Sequence, residues 1–124
     1  MDAAIVDRLA AVRTIEITTT GRRSGKPVRV EIWWFHVDGR FIITGTPGPR
    51  DWLANLIVDP RLTVHALGHD YPATARLVAD PDFRRRFFSR PGQEIGWYLA
   101  EADYDDLVRH APMVEVRLEA RAEP

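Results

Sequence analysis

Apolar and polar positions alternate along most of this chain, which predicts a succession of short β-strands with a few helices between them. Residues 3–12 (AAIVDRLAAV) put Ile5, Leu9 and Val12 on one helical face, and Asp2 stands where an N-cap belongs. Residues 13–20 (RTIEITTT) are β-branched and alternating, a strand. GRRSGKP follows as a turn with two glycines and a proline. Residues 28–37 (VRVEIWWFHV) are apolar at odd and even positions alike, which predicts one long strand buried on both faces. Asp38-Gly39 is a hairpin signal, and residues 40–46 (RFIITGT) form the third strand of a meander. Pro47-Gly48-Pro49 interrupts the pattern. Asp51 is the candidate N-cap of a helix that ends before Asp59-Pro60.

Residues 61–67 and 71–79 make a second hairpin around Gly68-His69-Asp70. Asp80 then caps a helix with Pro81 at its first position, running to about Ser89. Its apolar positions are Phe83, Phe87 and Phe88, so Arg84, Arg85 and Arg86 are expected on a solvated face. Residues 93–110 are helical in part, weakened by Gly96, and residues 113–119 close the chain as a strand. The pattern predicts six strands and three or four short helices. Two hairpin groups separated by one helix imply a mainly β fold, an antiparallel barrel with helices packed outside. Closure would remove the edges that such Val/Ile-rich strands cannot leave exposed.

A chain of 124 residues fits one domain, residues 1–124. The absence of cysteine excludes disulfides and thiol chemistry. No apolar run approaches the length of a membrane span, and the N-terminal residues do not resemble a signal peptide, so the cytoplasm is expected. A net charge of -1 argues against nucleic acid as a partner. That charge conceals an asymmetry. Residues 22–29 (RRSGKPVR) carry four cations and no acid, with no counter-ion in reach along the chain. A turn presents side chains and backbone N–H groups together, so Arg22, Arg23, Ser24, Gly25 and Lys26 could cradle a phosphate. Metal chemistry is poorly supported: His65 and His69 are four apart but not on a helix. No nucleophile motif is present, and no catalytic residue is assigned. Trp33, Trp34 and Phe35 are consecutive on one strand, so at least one ring must face outward, a pocket or a partner. Trp52 could flank a planar ring or simply anchor its helix.

Several of these pieces occur together in a known order. TTGRRSGKP at residues 19–27 is followed by a strand, Asp38-Gly39 and Ile43-Thr44-Gly45-Thr46, then by WLANL at 52–56 and DPRLTV at 59–64. This order resembles the deazaflavin-dependent nitroreductase family, also called deazaflavin-dependent quinone reductases. The resemblance covers residues 14–79 and, loosely, the last strand. It implies a split β-barrel that binds coenzyme F-420 and passes hydride to a small acceptor such as a quinone or nitroaromatic. Carried over by position, Arg23, Ser24, Gly25 and Lys26 match the turn that holds phosphate and acidic tail, with Arg29 near a position where the family often has Arg. Thr44, Gly45 and Thr46 match the strand end that meets the deazaflavin ring, and Trp52 the Trp beside the cofactor. The segment before that helix is shorter here and lacks the family's Lys, which leaves Arg50 as the replacing cation. Tyr98 and Tyr104 correspond to the family's substrate-side tyrosines.

Two other readings stand beside this one. FMN could occupy the same barrel, although four cations exceed what a single phosphate requires. A non-catalytic carrier of a planar ligand is the third. Split barrels often pair through the barrel side, so a homodimer is one arrangement that residues 33–35 would serve.

Overall fold

The computed structural model describes residues 3–10 and 12–119. Its elements in chain order are α1 (Ala3–Leu9), β1 (Thr14–Thr20), β2 (Pro27–Trp33), β3 (Phe35–Val37), β4 (Arg40–Thr44) and α2 (Asp51–Val58). There follow β5 (Arg61–Ala66), β6 (His69–Leu77), α3 (Pro81–Phe88), α4 (Gln93–Glu101), α5 (Tyr104–His110) and β7 (Met113–Leu118). The expected cap Asp2 lies outside the described residues. The strands form one sheet in the order β2-β1-β5-β6-β7-β4-β3, and each neighbouring pair is antiparallel.

The strand expected over residues 28–37 is broken at Trp34, which makes seven strands rather than six. Its first half pairs with β1, Thr14 standing opposite Trp33, and its second half pairs with β4, Phe35 opposite Ile42. The two halves therefore occupy opposite ends of the sheet order while only one residue separates them. A sheet whose two ends are so joined must curl, and the result is a half-barrel. The meander is corrected accordingly: β4 lies between β3 and β7, and β1 pairs with β5.

Which strand is buried on both faces also differs from expectation. Pro27, Val28, Arg29 and Glu31 of β2 are exposed, because β2 is an end strand with little packed over it. The doubly buried strand is β4, where Phe41, Ile42, Ile43 and Thr44 are all buried. Phe41 and Ile43 point into the half-barrel with Trp34, Ile17, Val64 and Val116. Ile42 points the other way, with Phe35, Met113 and the rings of α3, into a second core under α3, α4 and α5. The period of two along β4 and β7 thus feeds two cores on opposite faces of the same strands. Trp34 stacks on Phe41 with ring centroids 4.2 Å apart, and its indole N–H donates to Val12 O at 2.6 Å.

Arg84 overturns the solvated-face reading of residues 84–86. It is 8 % exposed and its guanidinium donates to the carbonyls of Val78, Val108 and Ala111. Three apolar neighbours on one helix could not disclose this, because the oxygens come from α5 and the loop before α3. Arg85 and Arg86 remain exposed.

Candidate active site

The divergence at Trp34 leaves a cavity of about 360 Å³ between β2 and the end of β4. Glu31, Ile32 and Trp33 line one side, and Thr44, Gly45 and Thr46 the other. Arg50 closes it from the loop before α2, and Trp97 and Tyr98 from α4. Six residues singled out from the sequence therefore converge here: Trp33, Thr44, Gly45, Thr46, Arg50 and Tyr98.

The floor is held by hydrogen bonds, one of them fully buried. Thr44 Oγ1 donates to Pro112 O at 2.6 Å, which fixes the end of β4 to the segment before β7. Arg50 turns back on its own loop, donating from Nη2 to Thr46 O at 2.9 Å and to Thr46 Oγ1 at 2.8 Å. It also donates to Pro49 O at 3.2 Å. The guanidinium thus shapes the Pro-Gly-Pro loop as well as facing the cavity. Gly45 is in close contact: a Cβ there would lie 3.3 Å from Arg50 Nη2 and 3.6 Å from Pro112 Cγ.

Tyr98 is 3 % exposed and packs edge-to-face against Trp33 and Trp97, at 6.1 and 5.4 Å between centroids. Burial pushes its phenol up to about 12, against the weaker pull of the Arg13 and Arg50 guanidiniums. The raised value means that the folded protein resists ionisation where the unfolded chain does not. This phenol's contribution to stability should therefore be fully present below about pH 10 and be lost as pH rises from about 10 to 12. Alkaline melts of wild type and Tyr98→Phe should diverge only in that window; parallel curves would mean that the phenol ionises freely.

The cationic turn lies at the far end of β2. Gly25 has φ +70°, a left-handed conformation that a glycine adopts without strain. Ser24 Oγ accepts from Lys26 N at 3.1 Å, and Gly21 N donates to Lys26 O at 2.8 Å. Arg22 is anchored to α2: its backbone N–H and Nη1 both donate to Asn55 Oδ1, at 3.1 and 3.0 Å, and Nη2 meets Asp51 at 3.2 Å. Asn55 in turn donates to the buried Thr19 Oγ1 at 3.1 Å. Arg29 pairs with Glu16 at 3.1 Å, across the ladder on the outer sheet face. Counter-ions distant in sequence thus neutralise two of the four cations. Among the described residues, Arg23 and Lys26 have no ion pair. The amides of Gly21, Arg22, Gly25 and Lys26 are engaged within the protein, so an anion here meets chiefly side chains. The start of α2 lies between turn and cavity, and its N-cap, Arg50, makes no side-chain capping bond. The first amides of α2 are left to other partners, a favourable place for negative charge.

Three candidates fall elsewhere. Trp52 is 8 % exposed, with its side chain in the half-barrel core, so it anchors α2 rather than lining the cavity. Tyr104, at the start of α5, donates to Arg85 O at 3.2 Å beside Ser89. Arg29 faces a polar groove on the outer face with Glu16, His65 and Asp70. That groove, about 500 Å³, is larger than the wedge cavity, but it is more polar, and no Trp, Tyr or Phe lines it. There His65 bridges strands, Nδ1 to Asp70 at 2.7 Å and Nε2 to Thr18 Oγ1 at 2.6 Å. Among the described residues no His, Asp or Glu cluster could hold a metal ion.

Sequence reasoning missed Glu31, Ile32 and Trp97 as cavity residues, and Asn55 as the clamp on the turn. Asn55 had a signal: it is a polar residue on the buried face of α2, between Trp52 and Leu56. Trp97 had none, because its position depends on how α4 crosses the end of β2.

No curated protein matches this chain. Among solved structures, an F420-H2 dependent reductase, FDR-A, is 21 % identical over 87 % of this chain and 95 % of its own, with a TM-score of 0.61. A protein described as a domain-swapped dimer is 22 % identical over 86 % of this chain and 81 % of its own, at 0.63. A FAD-binding protein from Mesorhizobium loti is 13 % identical over 97 % and 91 %, at 0.64. These likenesses establish the split-barrel fold. No helix among the described residues is long and apolar enough to cross a membrane. The family model for F420H(2)-dependent quinone reductase matches residues 1–117. The chain therefore belongs to the F420H(2)-dependent quinone reductase family and is an oxidoreductase that depends on the reduced deazaflavin coenzyme F-420.

Proposed function

We propose that the protein is a cytoplasmic enzyme that binds reduced F-420 along β2 and reduces a quinone or a comparably activated acceptor such as a nitroaromatic at the wedge cavity. The observation that carries this is the pairing of two sites through α2: an aromatic-walled cavity with a glycine floor, and a turn whose Arg23 and Lys26 have no counter-ion among the described residues. The donor set fits the coenzyme. A flat ring needs the close backbone approach that Gly45 allows, and a phosphate with an acidic tail needs separated cations rather than one strong cluster. Thr44, Gly45 and Thr46 would hold the ring. Arg23, Ser24, Gly25 and Lys26 would hold phosphate and tail, with the uncapped start of α2 between them. When bound, the coenzyme supplies the hydride. The protein's own residues orient it, exclude water and, through Tyr98, keep a protonated phenol at the cavity wall.

Titration with F-420 and with FMN, followed by cofactor fluorescence, tests this. F-420 should bind more tightly, since FMN lacks the acidic tail. Arg23→Ala and Lys26→Ala should each weaken F-420 binding by about one to two decades, because charge-assisted hydrogen bonds are worth roughly 1.5–3 kcal/mol. The loss should shrink at high ionic strength. Wild-type affinity in both variants at low salt would remove the turn from the site.

A homodimer accompanies this reading, in keeping with the resembling chain described as a domain-swapped dimer. Residues 33–35 do not offer the surface: Trp34 and Phe35 are buried and Trp33 lines the cavity. Exposed apolar side chains lie instead at Ile57 and Val58 of α2 and Leu77 of β6. Light scattering should give twice the chain mass, and Ile57→Lys should halve it.

A further inference from the structure

We infer that Trp97 is the platform on which the hydride acceptor stacks, and that Glu31 beside it restricts that acceptor to flat rings without negative charge; this rests on the deazaflavin reading above. Size comes first. A cavity of about 360 Å³ lies at the low end of small-ligand sites, which run from roughly 300 to 1,000 Å³. It takes one planar ring system, so once the coenzyme ring is seated the acceptor must lie at the mouth.

At that mouth stands Trp97. It is 49 % exposed, whereas Ile95 and Tyr98 on the same helix are buried. It is not loose: it packs edge-to-face against Trp33 at 5.7 Å and Tyr98 at 5.4 Å. Two rings fix the indole's orientation, and about half of its surface remains open to solvent. A large apolar ring, oriented yet uncovered beside a cofactor cavity, suits an aromatic partner.

Charge narrows the class. Glu31 lines the cavity, is exposed, and has no ion pair among the described residues. Arg29 pairs with Glu16 and Arg13 with Glu94 at 2.7 Å, while Arg50 keeps its charge but is held to its own loop by Thr46. Among the described residues Glu31 and Arg50 are thus the two unpaired charges of the lining, one on β2 and one on the loop before α2, and a sulfonate or carboxylate at the β2 side of the mouth meets the Glu31 carboxylate first.

The test uses menadione, an uncharged naphthoquinone, and menadione sulfonate, with Trp97→Ala, Trp97→Phe and Glu31→Gln. In turnover with reduced F-420, Trp97→Ala should raise the KM for menadione roughly tenfold with little change in kcat, and Trp97→Phe should restore most of it. The sulfonate should show a KM roughly tenfold above that of menadione in wild type, a gap that closes in Glu31→Gln. Equilibrium dialysis of menadione against the coenzyme-free protein supplies a readout independent of turnover and should show the same loss in Trp97→Ala. If wild type fails to bind F-420, the deazaflavin reading fails, and the dialysis still decides on Trp97. If F-420 binds normally but Trp97→Ala keeps wild-type KM and dialysis affinity, the platform is overturned. Equal affinity for the sulfonate and menadione would overturn the charge selection.

Discussion

Gly45→Val is expected to bind F-420 roughly 10- to 100-fold more weakly than wild type while keeping its far-UV CD spectrum and thermal midpoint. A Cβ at this position would meet the Arg50 guanidinium at 3.3–3.5 Å and Pro112 at 3.6 Å. Those distances are tight but tolerable, because the end of a flexible side chain can yield. The two further methyls of valine cannot be placed so easily. They push the guanidinium from Thr46 or project into the cavity, and either outcome narrows the place for a ring. Gly45 has no left-handed φ, so the backbone itself accepts a side chain. Gly45→Ala should lose less than about tenfold, the cost of a few tenths of an ångström of adjustment. The double variant Gly45→Val/Arg50→Ala separates the two effects. Recovery of affinity there would mean that the guanidinium, rather than the valine, blocks the site. A large loss of thermal stability in Gly45→Val would instead make this glycine a requirement of strand bending, not of ligand approach.

Arg84→Ala is expected to destabilise the protein by about 3 kcal/mol, a fall of roughly 10 °C in the melting midpoint. The guanidinium is buried without a carboxylate partner among the described residues. Its charge is compensated by the carbonyls of Val78, Val108 and Ala111, the last two at the C-terminal end of α5. Burial lowers its pKa, but an arginine stays charged, and the negative end of a helix is a favourable setting for that charge. Removing the side chain leaves buried oxygens unpaired and a void between α3 and the end of α5. Arg84→Met fills most of the void but supplies no donor, so it should recover only part of the loss. The effect should extend to the site. Ala111 precedes Pro112, whose carbonyl accepts from Thr44 and whose ring lies next to Gly45. A weaker F-420 affinity is therefore expected at temperatures well below the melt. If Arg84→Ala melts as wild type does, the buried guanidinium is not what joins α3 to α5.

Much of this protein is legible in its residue pattern, because local rules act over a few positions. Alternation in residues 14–20, 61–66 and 113–118 marks strands, Asp38-Gly39 a hairpin, and Asp80-Pro81 a helix start whose aspartate does accept from the Asp82 amide. Glycine and cations between residues 21 and 26 mark a turn able to meet an anion, and the order of turn, strand end and α2 motif points to the family. Pairings across the sheet decided the rest. The apolar character of residues 28–37 is compatible with one doubly buried strand. Only the competition between β1 and β4 for pairing partners breaks it at Trp34, exposes β2 and opens the cavity. The sign of each charge is visible in the sequence, but its availability is not. Arg22 and Arg29 are neutralised from α2 and β1, and Arg84 is drawn inside by carbonyls of α5, while Arg23 and Lys26 meet no ion pair among the described residues. Trp97 and Tyr98 are adjacent in sequence with equal claims to the core; the crossing of α4 over β2 buries one and leaves the other at the mouth. Periodicity fixes which side of its own element a residue takes, and packing between distant elements decides what that side meets.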